Sequence, residues 1–130
     1  MLIRVVFINE SGMHDMTIEN DYQTIKNLIG FDEAWNTPTI TLDDVNYIVV
    51  CSDLGKIRHY PVSALSLHSL NRRKDRLEEP FIVGPIMITK FDGVDDFATL
   101  TDEDIERIES SMLNLEHAPE DWYNDILVFD

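Results

Sequence analysis

The side chains on which chemistry could rest are four histidines, one cysteine and 25 acids. Structural zinc takes Cys and His ligands at short, regular spacings. His14, His59, His68 and His117 are scattered along the chain, and Cys51 has no C-x-x-C partner, so no metal site is expected. A cysteine nucleophile needs a thiolate in a polar, accessible setting. Cys51 closes the apolar run YIVVC and reads as a buried structural thiol. The segment FDGVDD at 91–96 gathers three acids around a glycine, but the twelve-residue calcium loop and its closing bidentate Glu are missing. No G-x-x-x-x-G-K-[ST] occurs, and the five glycines never form G-x-G-x-x-G. Paired carboxylates are plentiful, but among 25 acids their adjacency carries little information. These residues predict no catalytic group, no cofactor and no enzyme.

What remains is charge. The chain carries a net −15 with a pI near 4.4. A protein this acidic is repelled by nucleic acid and by anionic membranes, and its natural partners are cations or basic protein surfaces. The acidity is concentrated late. Residues 91–130 hold 13 acids against one base, Arg107, whereas residues 1–90 hold 12 acids and 9 bases. Within that acidic third, LTDEDIERIESSMLNLE at 100–116 reads as a helix. Thr101 is its N-cap, with Asp104 in the capping-box position and Leu100 and Ile105 as the hydrophobic staple. Asp102, Glu103 and Asp104 suit the positive end of the helix dipole. Ile105, Ile108, Met112 and Leu115 form an apolar stripe, and Glu103, Glu106 and Glu109 fall mainly away from it. At about 1.5 Å rise per residue, Asp102, Glu103, Glu106 and Glu109 spread four charges over roughly 10 Å. Duplex DNA carries one charge per about 1.7 Å of axis. With Asp95, Asp96, Glu116, Glu120 and Asp121 folded nearby, the acidic density would approach that of a phosphate backbone. Trp122 and Tyr123 are the expected aromatic anchors of such a surface. The competing reading is an ordinary solvated face.

The remaining elements must position this helix. LIRVVFI (2–8) reads as a buried strand, NESG (9–12) as a turn and residues 15–19 as a returning strand. Asn20 is expected to cap a helix over 20–29, with Gln23 as capping-box partner, Tyr22, Ile25 and Ile29 as its apolar side and Gly30 as its stop. Trp35 is expected to anchor a loop over 31–37. Residues 39–42 and 47–51 are strands separated by DDVN, the second of them central because YIVVC is apolar throughout. SDLGK (52–56) is a turn, and residues 57–60 a short continuation. SALSLHSL, within 61–76, is a brief helix or a loop with leucine anchors. It leads to RRKDR (72–76), either a solvated loop or a basic partner for the acidic face. FIVGPIMIT (81–89) is one strand bent at Gly84-Pro85. HAPEDWYND is a polar loop, and ILVFD an edge strand or a docking element. The fold class is α+β: a small mixed or antiparallel sheet of about four to six strands with two main helices, 20–29 and 101–116. At 130 residues the chain reads as a single domain, 1–130. No apolar run is long enough to span a bilayer, the N-terminus lacks a cleavage-site pattern, and one cysteine suits a reducing cytosol, so a cytoplasmic location is expected.

Three segments carry a family resemblance: ENDYQTIKNLIG (19–30), YIVVCSDLGKIRHYP (47–61) and FIVGPIMITKFDGVDDFATLTDEDIERI (81–108). In this order they resemble the family of domain of unknown function 3846, over about residues 2–108. The link RRKDRLEEP is longer than is usual there, and 109–130 would be the end of the acidic helix plus a C-terminal extension. The resemblance supplies no catalytic or ligand residues. It implies a phage, plasmid or conjugative-element setting. In that setting the expectation is a non-enzymatic counter-defence inhibitor, anti-CRISPR or anti-restriction. Its acids and aromatics would occupy the basic nucleic-acid groove of a host nuclease, without direct nucleic-acid or membrane binding. The alternative is a regulatory or structural interaction domain of the element without mimicry, including a homodimer joined through its terminal strand.

Overall fold

The computed structural model describes residues 1–29, 35–52, 60–66, 80–91 and 96–129. Strand β1 (Leu2–Asn9) turns back through Glu10-Ser11 into β2 (Gly12–Glu19), in register along its whole length. Helix α1 (Tyr22–Ile29) follows, then β3 (Trp35–Asn36), β4 (Thr39–Leu42) and β5 (Val45–Ser52). Next come β6 (Val62–Ser66), β7 (Pro80–Val83), β8 (Ile86–Phe91) and β9 (Phe97–Ala98). Helix α2 (Asp102–Ser110), β10 (Met112–Asn114) and β11 (Trp122–Phe129) complete the described chain. Among the described residues the strands form two sheets. The larger is wholly antiparallel, ordered β2-β1-β8-β5-β3, with β4 also on β5 and β9 on β8. The smaller is ordered β10-β11-β6-β7, with β11 and β6 parallel.

The larger sheet is buried on both faces, which explains its continuous apolar runs. Side chains alternate across a strand. Ile3, Val5 and Phe7 of β1, Ile48 and Val50 of β5 and Met87 of β8 pack against Ile25 and Ile29 of α1. Val6 and Ile8, Tyr47, Val49 and Cys51, and Ile86 and Ile88 point the other way. There they meet Ala64, Ile82, Leu127 and Phe129 of the smaller sheet, Ile105 and Ile108 of α2, and Leu100 just before that helix. The layers are therefore α1, the larger sheet, and then the smaller sheet together with α2. A third cluster, with Val62, Leu65, Tyr123 and Ile126, belongs to the smaller sheet.

Several expectations hold: α+β class, the β1–β2 hairpin, strands at 39–42 and 47–51 (the second running on to 45–52, so that only Asp43 and Asp44 lie between them), a central β5 and a buried Cys51. Asp43 and Asp44 make the β4–β5 turn with φ of 47° and 64°, the type I′ geometry of a two-residue hairpin. Others need correction. There are more strands than four to six, and both helices are shorter than expected. Asp21, not Asn20, caps α1, because its carboxylate accepts the Thr24 amide at 2.7 Å. Asn20 instead donates to Asp96, and Gln23 bonds Asn27 along the helix. Tyr22 is largely exposed and not part of the buried side of α1. Residues 62–66 are strand, not helix or loop, because Val62, Ala64 and Leu65 fill a slot beside β11.

The run 81–89 is two strands in different sheets. Gly84 takes φ +82°, and a Cβ there would lie 3.2 Å from the Tyr60 ring; Pro85 then offers no N–H to a ladder. The terminal strand is not an edge, since β10 and β6 flank it on both sides. Gly30, most of the expected 31–37 loop, most of SDLGK, residues 57–59, RRKDR and Asp95 lie outside the described residues.

Candidate functional site

Helix α2 begins as its sequence dictates. The Thr101 hydroxyl accepts the Asp104 amide at 3.2 Å, and Asp104 Oδ2 accepts the Thr101 amide at 2.9 Å. It ends earlier than expected. Ser110 and Ser111 turn their hydroxyls back onto the carbonyls of Glu106 and Arg107, at 2.8 and 3.0 Å. Such back-bonding competes with the helical ladder. Met112–Asn114 then exchange helical bonds for pairing with Leu127–Asp125 of β11. Met112 and Leu115 are thus packed from a strand and a turn rather than from one helical stripe.

The acids separate into several roles. Asp104, at 1% exposure, is withdrawn into the protein. Its Oδ1 accepts the Tyr47 hydroxyl and Lys90 Nζ, both at 2.7 Å, and Arg107 Nη1 at 3.3 Å. Arg107 Nη1 also donates to the Tyr47 oxygen at 2.7 Å, and Lys90 Nζ lies 5.3 Å from the Tyr47 ring centroid. Burial pushes the Asp104 carboxyl up, but the Lys90 ammonium, the Thr101 amide and hydroxyl and the Tyr47 hydroxyl outweigh it and hold it at about 2. Burial, with the Asp104 carboxylate adding to it, pushes the Tyr47 hydroxyl up to about 12. The Tyr47 bond raises Arg107 above its ordinary value. Tyr47 is fully buried, and its oxygen both donates and accepts, so this cluster fastens α2 to β5 and β8. Sequence reading saw Asp104 as a cap only. The signal for the rest was the polar hydroxyl of Tyr47, opening an otherwise apolar strand whose alternate positions face α2.

Asp102 and Glu103 are exposed but paired internally. Asp102 bonds Arg4 on β1, which also holds Asp15 at 2.6 and 2.9 Å. Those bonds, that to Asp15 foremost, raise Arg4 and hold Asp15 below the usual carboxylate range. Glu103 bonds Arg107 at 3.2 Å. Glu106 and Glu109 on α2, and Glu116, Glu120 and Asp121 in the turn between β10 and β11, are exposed with no ion pair among the described residues. Asp96 is not on this face. Phe97 packs with the α1 cluster and Leu100 with the α2 cluster, so the chain passes from one side of the larger sheet to the other between them. Asp96 Oδ1 accepts Asn20 Nδ2 at 2.7 Å and the Phe97 amide at 2.8 Å.

The expected aromatic anchors also divide. Trp122 is half-buried against the smaller sheet. Tyr123 is 8% exposed, and burial, with Glu10 nearby, raises its hydroxyl. Its ring belongs to the core and not to an accessible surface. Among the described residues no three His, Cys, Asp or Glu side chains converge as a metal site would require, and no helix is long and apolar enough to cross a membrane.

A family model described as a domain of unknown function (DUF3846) matches residues 3–112. No curated protein and no solved structure matches the chain.

Proposed function

The chain belongs to the DUF3846 family, and from that premise we propose that it is a non-enzymatic interaction protein that binds a basic surface. In a phage or other mobile element it acts as a counter-defence inhibitor, anti-CRISPR or anti-restriction, seated in the nucleic-acid groove of a nuclease. One observation carries this reading. Glu106, Glu109, Glu116, Glu120 and Asp121 stand in solvent without a compensating cation among the described residues. Asp104, by contrast, is drawn inside and neutralised. Charges that are not spent internally remain available to steer a basic partner, with a rate that falls as salt screens them.

A second reading is a regulatory or structural interaction domain without mimicry. The pairing of Asp102 with Arg4 and of Glu103 with Arg107 favours it, because it removes two charges from the helix face.

The test is cleavage by a panel of CRISPR and restriction nucleases with the intact protein and with a Glu106→Lys, Glu109→Lys, Glu120→Lys, Asp121→Lys variant. Circular dichroism checks that the variant folds. The expected result is inhibition of one nuclease that nucleic acid and salt both relieve, and that the folded variant has lost. Equal inhibition by the variant would refute mimicry. Partner binding that neither salt nor nucleic acid affects would favour the second reading.

A further inference from the structure

On the side of the larger sheet opposite α2, the start of α1 and the ends of β3, β8 and β9 enclose an open cleft of about 310 Å³. Its walls are two stacked aromatic pairs. Tyr22 stacks on Trp35 with ring centroids 4.9 Å apart and planes at 25°. Phe91 stacks on Phe97 at 5.8 Å and 18°. Four of the chain's twelve aromatic residues therefore line one small cleft. Tyr22 is 64% and Phe91 50% exposed, so each leaves much of its surface to solvent, unlike most large hydrophobic side chains of the described chain.

Two carboxylates complete the lining. Asp21 is held below the usual carboxylate range by the Thr24 amide it caps. Asp96 is fixed by two bonds that both fall on Oδ1, which leaves Oδ2 without a partner among the described residues.

Aromatic faces are electron-rich and attract cations, and they do so more strongly where water is partly excluded. A guanidinium adds a plane that stacks on a ring and a fork of N–H donors that fits a carboxylate. A phosphate or a nucleotide meets two carboxylates here and a chain of net charge −15. The volume lies at the low end of ligand pockets, which suits one long side chain rather than a cofactor. We propose that this cleft is a receptor for an arginine side chain of a partner protein. The inference rests on the basic-partner reading above and names a second contact point, on the other face of the sheet from α2.

The test needs no identified partner. The chain has two tryptophans, so Trp122→Phe leaves Trp35 as the single indole reporter. This variant is titrated with N-acetyl-arginine amide, and with its citrulline analogue, which keeps the shape and loses the charge. Readouts are indole fluorescence and the backbone amide shifts of residues 20–25, 96 and 97. The expected result is a saturable response to arginine and affinity for citrulline weaker by about two- to fivefold, in line with a cation–π contribution at a partly exposed site. Phe91→Ala, at an exposed ring, and Asp96→Asn should each weaken it severalfold, whereas the four-residue charge reversal on the α2 side should not. Equal responses to arginine and citrulline would overturn the proposal. So would a non-saturating response indifferent to Phe91→Ala, the signature of diffuse attraction to an acidic protein. The two readings fail separately: arginine held in the cleft without nuclease inhibition removes only the counter-defence role, and inhibition with no arginine binding removes only the receptor.

Discussion

Asp104 is the residue whose loss should be felt most. Removing this buried carboxylate leaves the Lys90 ammonium without its counter-ion and the Tyr47 hydroxyl and Thr101 amide without their acceptor, a loss of roughly 3 kcal/mol. Asp104→Ala should therefore lower the urea midpoint sharply. Tyr47→Phe deletes one donor to Asp104 and one acceptor for Arg107 and should cost about 2 kcal/mol. The pH dependence has a definite sign at each end. Asp104 is held at about 2 in the fold against an ordinary 3.8, so its contribution is complete above pH 3.8 and is lost as pH falls towards about 2. Tyr47 is raised to about 12 from 10.0, so its contribution is present below pH 10.0 and is lost as pH rises through about 12. Thermal melts across the acid window should show a shallower decline for Asp104→Asn than for the parent. An unchanged slope would assign acid lability to other carboxylates.

Among the elements, the β4–β5 hairpin is closed by two aspartates in left-handed backbone, which L side chains other than Asn and Asp rarely adopt. Two like charges are also adjacent there. Asp43→Asn with Asp44→Gly supplies the pair that type I′ turns favour and should raise stability by roughly 1 kcal/mol in chemical denaturation. A loss of stability would show that the aspartates make contacts that offset their strain. The α2 element illustrates a different balance. Its N-terminus is set locally, by a cap and a staple that neighbouring residues supply. Its C-terminus is set from a distance, because β11 offers Met112–Asn114 a ladder.

For the whole molecule, the segment beyond the matched family region is part of the core. Strand β11 lies between β10 and β6, and its Leu127 and Phe129 pack against β1, β5 and β8. A chain ending at Glu116 would leave β6 unpaired on one side and open the principal core. It should lose cooperative thermal unfolding and bind a hydrophobic dye such as ANS. A cooperative transition without dye binding would mean that residues 1–116 fold without the smaller sheet. A dimer joined through the terminal strand also has no free edge to use where β10 and β6 both pair with it, at Leu127.

The sequence by itself determined what neighbours in the chain can decide. The start of α2, the places of the hairpin turns, the buried apolar runs of β1 and β5 and the late concentration of acid all follow from adjacent residues, and the ordered motifs carried the family. Only the tertiary structure decided which acids are spent. Asp102, Glu103 and Asp104 look alike in sequence. One pairs with Arg4 from β1, one with Arg107, and one is buried against Tyr47 and Lys90, strands away. Tyr123 becomes core and Tyr22 a cleft wall for the same reason. Local pattern sets which faces an element has, but the partner that covers a face comes from distant chain, and that pairing decides whether a charge or a ring is left for another molecule.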